Sequence, residues 1–228
     1  MNRTIRILLQ FAGLLLTGAA LLAADSSIAV IAVSDITEEG QATRRAMPAN
    51  PVYYYPHTTG FSISGATVDG VTSPPKGKVE VMLVKALASQ GYIYHKLANK
   101  PASIALVFAW GYMAPKYGPD GLKIQNKGDM SALVEGIHPI DPNEDGFRAD
   151  KIRAAVATSR FYLTITGLDF NALSQKKYVT LWCTRVSTGM EGNQLSDVLP
   201  ALIKAATPII GTQTGEPRIV EESLATGS

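Results

Sequence analysis

The feature that most limits the fold is the apolar segment 103–113, in which two alternating sets of side chains are both apolar. The large side chains are Ile104, Leu106, Phe108, Trp110 and Tyr112. The small or aliphatic ones between them are Ala105, Val107, Ala109, Gly111 and Met113. Successive side chains of a strand point to opposite faces of a sheet. The segment therefore predicts a central strand that is covered by helices on at least one side.

Other segments supply the remaining strands. Residues 161–168 and 178–186 are rich in aromatic and β-branched side chains and predict two strands joined as an antiparallel hairpin. Shorter strands are predicted before Gly65 and at 92–95.

Apolar residues at helical spacing predict helices in three places: 79–90, 149–158 and 195–206. In the last of these, Asp197 is the predicted N-cap and Pro200 falls in the first turn, where a missing N–H costs little. The order of elements is then near β-α-β-β-α-β-β-α. This order predicts an α+β fold with a mixed or mainly antiparallel sheet and about three helices packed on it.

The first 24 residues have the layout of an export signal. Arg3 and Arg6 precede an apolar run at 7–22, and the small residues Ala23 and Ala24 follow it. The alternative is a transmembrane anchor, but polar and small residues interrupt the run, and an anchor needs about 20 mostly apolar residues. We predict a cleaved signal peptide at 1–24, with a second cleavage site at 27–29 left open, and a periplasmic or secreted product.

Cysteine and charge limit the partners of the mature chain. The one cysteine, Cys183, lies far from the signal, so no lipid-accepting cysteine follows the apolar run and no stable membrane anchor is expected after cleavage. Removing Arg3 and Arg6 from the 21 basic residues leaves 19, which equals the 19 acidic residues. A neutral chain without a basic stripe is not expected to bind nucleic acid.

Composition also divides the rest of the chain. Residues 25–50 are expected to form a flexible leader, because 34–51 is polar and shows no helical or strand period. Residues 51–211 are predicted to form a single α+β domain. Residues 212–228 are expected to be a flexible tail, with a short edge strand at 217–220 as the alternative.

Four segments also carry a family resemblance: 84–92 (VKALASQGY), 101–111 (PASIALVFAWG), 181–188 (LWCTRVST) and 197–203 (DVLPALI). In these segments the chain resembles uncharacterised exported proteins of Gram-negative bacteria, and more distantly small periplasmic lipoprotein domains of unknown function. The resemblance spans roughly 51–211 and rests on core patterns. It implies an exported α+β domain and no particular activity.

One acidic segment matches the opening of a calcium loop. Asp141, Asn143 and Asp145 place oxygen ligands at alternate positions, and Gly146 follows for the turn. The match ends there, because Ile152 stands where an EF-hand has its bidentate Glu. The alternatives are a weak calcium site and an acidic turn before a helix; no other cofactor is expected.

Catalytic patterns are sparse. No Gly-x-Ser-x-Gly elbow, His-Glu-x-x-His motif, P-loop or dinucleotide-binding glycine pattern occurs. A site assembled from His138, Asp141 and Asp145 would make the chain an envelope hydrolase. Cys183 falls within a predicted strand and is expected to be a small packed side chain.

Tyrosines are concentrated in two predicted strands, in a group formed with residues of the central strand: Tyr53, Tyr54, Tyr55, Tyr92, Tyr94, Trp110 and Tyr112. Such rings serve either as sheet residues or as a binding surface; the structural interpretation is favoured. The sequence as a whole predicts a non-catalytic exported domain that binds an envelope protein or a small ligand. A hydrolase and a calcium-stabilised module are the alternatives.

Overall fold

A computed structural model describes residues 27–43, 45–121, 124–137, 139–141 and 143–224. In this part of the chain, seven strands form one sheet in the order β3-β2-β4-β5-β6-β1-β7. The strands are β1 Ser27–Ile36, β2 Val52–Gly65, β3 Tyr92–Tyr94, β4 Ile104–Ala114, β5 Arg160–Asp169, β6 Thr180–Gly189 and β7 Arg218–Ser223. The predicted signal peptide at 1–24 lies outside the described residues.

Helices lie between the strands. They are α1 Glu38–Gln41, α2 Lys76–Ser89, α3 His95–Ala98, α4 Lys127–Glu135, α5 Phe147–Val156, α6 Phe170–Ser174 and α7 Leu195–Ala206, followed by a 3₁₀ turn at Thr207–Ile209. α2 and α7 pack on one face of the sheet, where most of the buried side chains lie. α4 and α5 pack on the other face, over a smaller core.

β4 lies inside the sheet, as its two apolar sets predict. It pairs in parallel with β2 and antiparallel with β5. Leu106, Phe108 and Trp110 are buried in the main core, while Val107 and Ala109 on the opposite face are only half-buried. The helices therefore cover one face of this strand more fully than the other.

The α+β class and the mixed sheet are confirmed: β2 pairs in parallel with β3 and β4, and the other pairs are antiparallel. The predicted helix count and order are not confirmed. The described residues contain seven helices instead of about three, and the additional ones are mostly short segments that no apolar period marks.

The start of the last helix also differs from the prediction. α7 begins at Leu195, its N-cap is Gln194, and Asp197 lies in its first turn. Pro200 is therefore inside the helix instead of in its first turn. The face of α7 that packs on the sheet is buried around the proline, at Val198, Leu199, Ala201 and Leu202.

The predicted flexible leader at 25–50 is wrong over much of its length. Residues 27–36 form β1, which pairs with β6 on one side and β7 on the other. The polar residues at its end were taken as part of a linker because the groups that they contact are distant in sequence. The Ser34 hydroxyl lies 2.8 Å from that of Thr184, and Asp35 pairs with Arg185. The α+β domain therefore begins before residue 51.

The prediction of a flexible tail at 212–228 is wrong for residues 218–223. Residues 218–223 form β7, which pairs with β1 along six register positions from Ser27 to Ala32. The edge strand considered as an alternative at 217–220 is present, and it is longer than expected. Residues 225–228 lie outside the described residues.

Candidate functional site

The candidate site is a cavity of about 410 Å³ between α2 and the sheet. Strand side chains form its floor and α2 forms its wall, and we call it the α2 groove; it is lined by Tyr54, Pro56, Lys76, Glu80, Leu83, Val84, Tyr94 and Phe108. A cavity of this size lies in the range typical of small-molecule sites.

Aromatic rings form the floor of the α2 groove. The Tyr54 ring lies 6.0 Å from the Tyr94 ring, tilted by 33°, and 6.4 Å from the Phe108 ring in an edge-to-face contact. Both distances are within the range of favourable aromatic pairs. Tyr54 and Phe108 are almost fully buried and Tyr94 is half-buried, so this floor is rigid at its centre.

The phenol of Tyr54 stays protonated at neutral pH. Burial, and secondarily the neighbouring Tyr94, raise the pKa of Tyr54 to about 12. A neutral phenol can donate a hydrogen bond to a ligand, but it is a poor nucleophile and a poor base. The floor is therefore suited to binding and not to proton transfer.

Charged groups stand at the mouth of the groove. Lys76 and Glu80 lie one turn apart on α2, with Nζ 3.8 Å from Oε1. Both side chains are well exposed, so their attraction contributes little to stability. They remain free to turn toward a polar group on a bound molecule.

His95 extends the aromatic surface beyond Tyr94. Its ring lies 5.5 Å from the Tyr94 ring and 5.8 Å from that of Tyr55, which in turn lies 5.7 Å from Phe170. The Nε2 atom of His95 is buried and has no hydrogen-bond partner among the described residues. Among the described residues, the contacts of this imidazole are therefore with aromatic rings.

Some residues of the tyrosine group noted in the sequence pack inside the fold, and others line the α2 groove. Tyr92 packs on Trp182 with a ring distance of 5.5 Å, and the hydroxyl of Tyr112 accepts a hydrogen bond from the Val68 N–H. Trp110 is fully buried. Of this group, Tyr54 and Tyr94 line the α2 groove. Their positions in the predicted strands did not indicate that a helix would leave space above them.

A second cavity of about 430 Å³ lies at the N-terminal ends of β2 and β4, and Tyr53 and Asp169 are among its lining residues. The Asp169 carboxylate accepts a hydrogen bond from the Ala172 N–H at 2.7 Å, as the N-cap of α6. The one carboxylate that lines this second cavity is thus already hydrogen-bonded to the backbone of α6. The α2 groove is therefore the better candidate for a binding site.

The acidic segment forms an exposed turn before α5. Asp141 Oδ1 accepts a hydrogen bond from the Asn143 N–H at 2.8 Å, and Asp141 O accepts one from the Glu144 N–H. Asp141, Asn143 and Asp145 are all exposed. Ile152, at the twelfth position of the loop, is fully buried in the smaller core, because it lies within α5 and not in the loop.

The histidine of the hydrolase hypothesis, His138, lies outside the described residues. Its two proposed partners, Asp141 and Asp145, are exposed and line neither cavity described above. Within the described ranges, no group of three or more His, Cys, Asp and Glu side chains is arranged to hold a metal ion.

Cys183 is half-buried on the face opposite α7, and it is not part of the apolar core. Its Sγ lies 3.2 Å from Oγ1 of Thr166 on the neighbouring strand. The surroundings of the Cys183 thiol are thus more polar than expected for the small packed side chain that the sequence predicted.

No protein-family model matches this sequence, and the search of curated proteins gave no match. Within the described residues, no helix is long and apolar enough to cross a membrane.

Two solved structures are similar to the chain at a low level. One is the PelC dodecamer from Paraburkholderia phytofirmans, with a TM-score of 0.33 and 15% identity over 80% of this chain and 98% of that one. The other is a single-substitution variant of the same dodecamer, with a TM-score of 0.34 and 15% identity over 80% and 99%. Similarity at this level supports no argument, and the comparisons assign the chain to no family.

Proposed function

We propose that this chain is a non-catalytic binding domain of the bacterial periplasm or cell envelope, and that its ligand occupies the α2 groove. The observation that carries the proposal is the cavity of about 410 Å³ with an aromatic floor and an ion pair at its mouth. Export is proposed on the basis of residues 1–24.

The groove chemistry indicates the class of ligand. Tyr54, Tyr94 and Phe108 offer flat apolar surface, while Lys76 and Glu80 offer one charge of each sign. A molecule or a protruding partner side chain with a ring-shaped apolar body and an uncharged polar group fits this arrangement. A strongly charged ligand does not fit, because it would attract one member of the pair and repel the other.

An uncharged fluorescent probe with two aromatic groups, N-phenyl-1-naphthylamine, provides the test. Val84 lines the groove, and replacing it with Trp is expected to fill the space and weaken binding by roughly tenfold or more. The matched control is Val81→Trp, since Val81 lies on the same helix and is 56% exposed. The control is expected to bind as the unmodified chain does.

Equal binding by both tryptophan variants would place the probe outside the groove and overturn the proposal. Saturation at one probe per chain, together with loss in Val84→Trp alone, would support it. Circular dichroism of both variants checks that the helix is intact.

The hydrolase alternative predicts a different outcome. It requires turnover of an ester, amide or glycoside that disappears in Asp141→Asn or Asp145→Asn. No described contact favours it, because both carboxylates are exposed on the turn and Asp141 is bonded to the turn's own backbone.

A further inference from the structure

Arg160 is a buried cation at the start of β5, on the face of the sheet opposite the α2 groove. Its side chain is only 5% exposed, and the next residue, Phe161, points into the main core under α7. The guanidinium crosses to β6, where Nε donates to Ser187 Oγ and Nη2 donates to Ser187 O, both at 2.9 Å. Both acceptors are uncharged.

No carboxylate neutralises Arg160 among the described residues. Two acids of the nearby helix α5 and its preceding turn are bound elsewhere: Asp150 pairs with Arg153 at 2.7 Å, and Glu144 pairs with Arg148 at 2.6 Å. Asp145 of the same turn is exposed and does not line the cavity beside Arg160. Arg185, on the adjacent strand, has Asp35 at 2.6 Å. The described residues therefore supply a counter-charge to half-buried Arg185 and none to buried Arg160.

The donors of Arg160 are also incompletely used. A guanidinium has five N–H donors, and two are accounted for by Ser187. Nη1 has no hydrogen-bond partner in the described part of the chain. Burial lowers the pKa of Arg160, which agrees with a charge that lacks compensation.

A cavity of about 230 Å³ lies beside this guanidinium, between α5 and the strands β1, β6 and β7. Its walls are mostly apolar, and Lys151 adds a second positive group; the lining residues other than Lys151 and Arg160 are Ala29, Ile31, Ala154, Ala155, Thr158, Gly189 and Ile219. The Lys151 ammonium lies 4.4 Å over the Phe147 ring. Glu221 pairs with Ala29 in the strand register but is exposed and does not line the cavity.

We infer that this cavity is a binding site for a small carboxylate that carries a short aliphatic chain. The carboxylate would accept two hydrogen bonds from the unused N–H groups of Arg160, a geometry for which guanidinium is well suited. The chain would lie against Ile31, Ala155 and Ile219. A free phosphate is a poorer fit, because apolar walls cannot replace the hydration that a more strongly charged anion loses.

The site is independent of the α2 groove, since Arg160 lies on the opposite face of the sheet from Phe108. The two proposals can therefore fail separately. Binding at the cavity requires neither export nor a partner protein.

Titration calorimetry of the purified full chain with hexanoate tests the inference. Hexanamide, which has the same chain and no charge, and inorganic phosphate are the comparison probes. Hexanoate is expected to bind at one site, and hexanamide at least about tenfold more weakly, because a hydrogen bond to a charged group is the stronger one.

Two variants locate the site. Arg160→Gln removes the cation, and Ala154→Phe narrows the cavity while leaving Arg160 in place; each is expected to weaken hexanoate binding by about tenfold or more. Lys85→Gln, which removes a charge from an exposed position of α2, is the matched control. If Arg160→Gln does not fold, Ala154→Phe decides the result.

Three outcomes would overturn the inference. They are the absence of hexanoate binding to the unmodified chain, equal binding by Ala154→Phe, and phosphate binding that hexanoate does not compete with. Loss of hexanoate binding in the cavity variants, with the control unchanged, would support it.

Discussion

Oδ2 of Asp35 lies 2.6 Å from Nη1 of Arg185, and the two side chains are 4% and 17% exposed. The same carboxylate oxygen accepts a hydrogen bond from the Ile137 N–H at 3.2 Å. Asp35 thus joins three parts of the chain: β1, β6 and the segment after α4. The contact fixes the end of β1, where the apolar run 28–33 gives way to polar residues.

Removing one member of this pair should be costly. Asp35→Asn leaves the Arg185 guanidinium poorly compensated, and we expect the free energy of unfolding to fall by about 3 kcal/mol, as for other buried pairs that lose one partner. Urea unfolding at neutral pH measures the change. Asp35→Leu combined with Arg185→Met should restore much of the loss.

Glu221→Gln on β7 is a matched control for Asp35→Asn, since Glu221 is an exposed carboxylate on the strand beside β1. It should change stability by less than about 0.5 kcal/mol. A similarly small effect of Asp35→Asn would contradict the importance of the pair.

A methyl group at Gly40 should destabilise the fold. Gly40 lies in α1, and a Cβ there would overlap the carbonyl oxygen of Leu181 at the start of β6. We expect Gly40→Ala to cost about 1–3 kcal/mol, the usual range for overpacking. The midpoint of thermal unfolding, compared between Gly40→Ala and the unmodified chain, measures this loss.

Gly77→Ala provides the comparison for Gly40→Ala. Gly77 is in the first turn of α2, and a Cβ there would meet nothing within 4 Å. Alanine is a better helix former than glycine, so this variant should be neutral or slightly more stable. Equal losses in both variants would show that the contact with Leu181 is not the cause.

Stability should fall as pH rises from about 10 to 12. Burial, together with Tyr94, raises the pKa of Tyr54 to about 12. In this range the unfolded chain loses the proton and the folded chain keeps it, so ionisation favours unfolding. Burial raises the pKa values of Tyr92 and Tyr162 as well, which adds to the loss.

Urea unfolding at several alkaline pH values, compared between the unmodified chain and Tyr54→Phe, isolates the part that is due to Tyr54. The variant should show a shallower decline, by at most about 3 kcal/mol at the alkaline end. Tyr178→Phe removes the same hydroxyl from an exposed ring and is the matched control. Parallel declines in the unmodified chain and Tyr54→Phe would contradict the role of Tyr54.

Calcium is expected to leave thermal unfolding unchanged. Asp141 Oδ1 is bonded within its own turn, and Glu144 is held by Arg148, so neither is freely available as a ligand. Melting curves in millimolar calcium and in chelator compare the two states. A calcium-dependent rise of several degrees that is lost in Asp145→Asn would establish the calcium-stabilised module.

Several elements were predictable because their signals are local. The alternating apolar sets of 103–113 predicted β4, and the hairpin of β5 and β6 followed from aromatic and β-branched content. The three predicted helices correspond to α2, α5 and α7. In each case the side chains that face the core repeat at the period of the element itself.

The candidate groove was not predictable in the same way. Tyr54 and Tyr94 were noticed as members of a tyrosine group, but their packing above Phe108 and beneath α2 depends on the parallel pairing of β2 with β3 and β4. Lys76, Glu80 and Val84 had no place in the sequence hypothesis. A cavity arises from the distance between elements, which no local pattern encodes.

The sequence by itself determined the class of the domain, the central position of β4 and the hairpin beside it, because burial of a periodic apolar face is a property of one segment. Only the tertiary structure decided that residues 27–36 and 218–223 belong to the sheet, that Arg185 is paired, and that Arg160 has no acidic partner among the described residues. These features depend on which polar groups meet across the fold. The cost of burying a charge or a hydroxyl is set by its partners, and those partners lie up to 180 positions away in the chain.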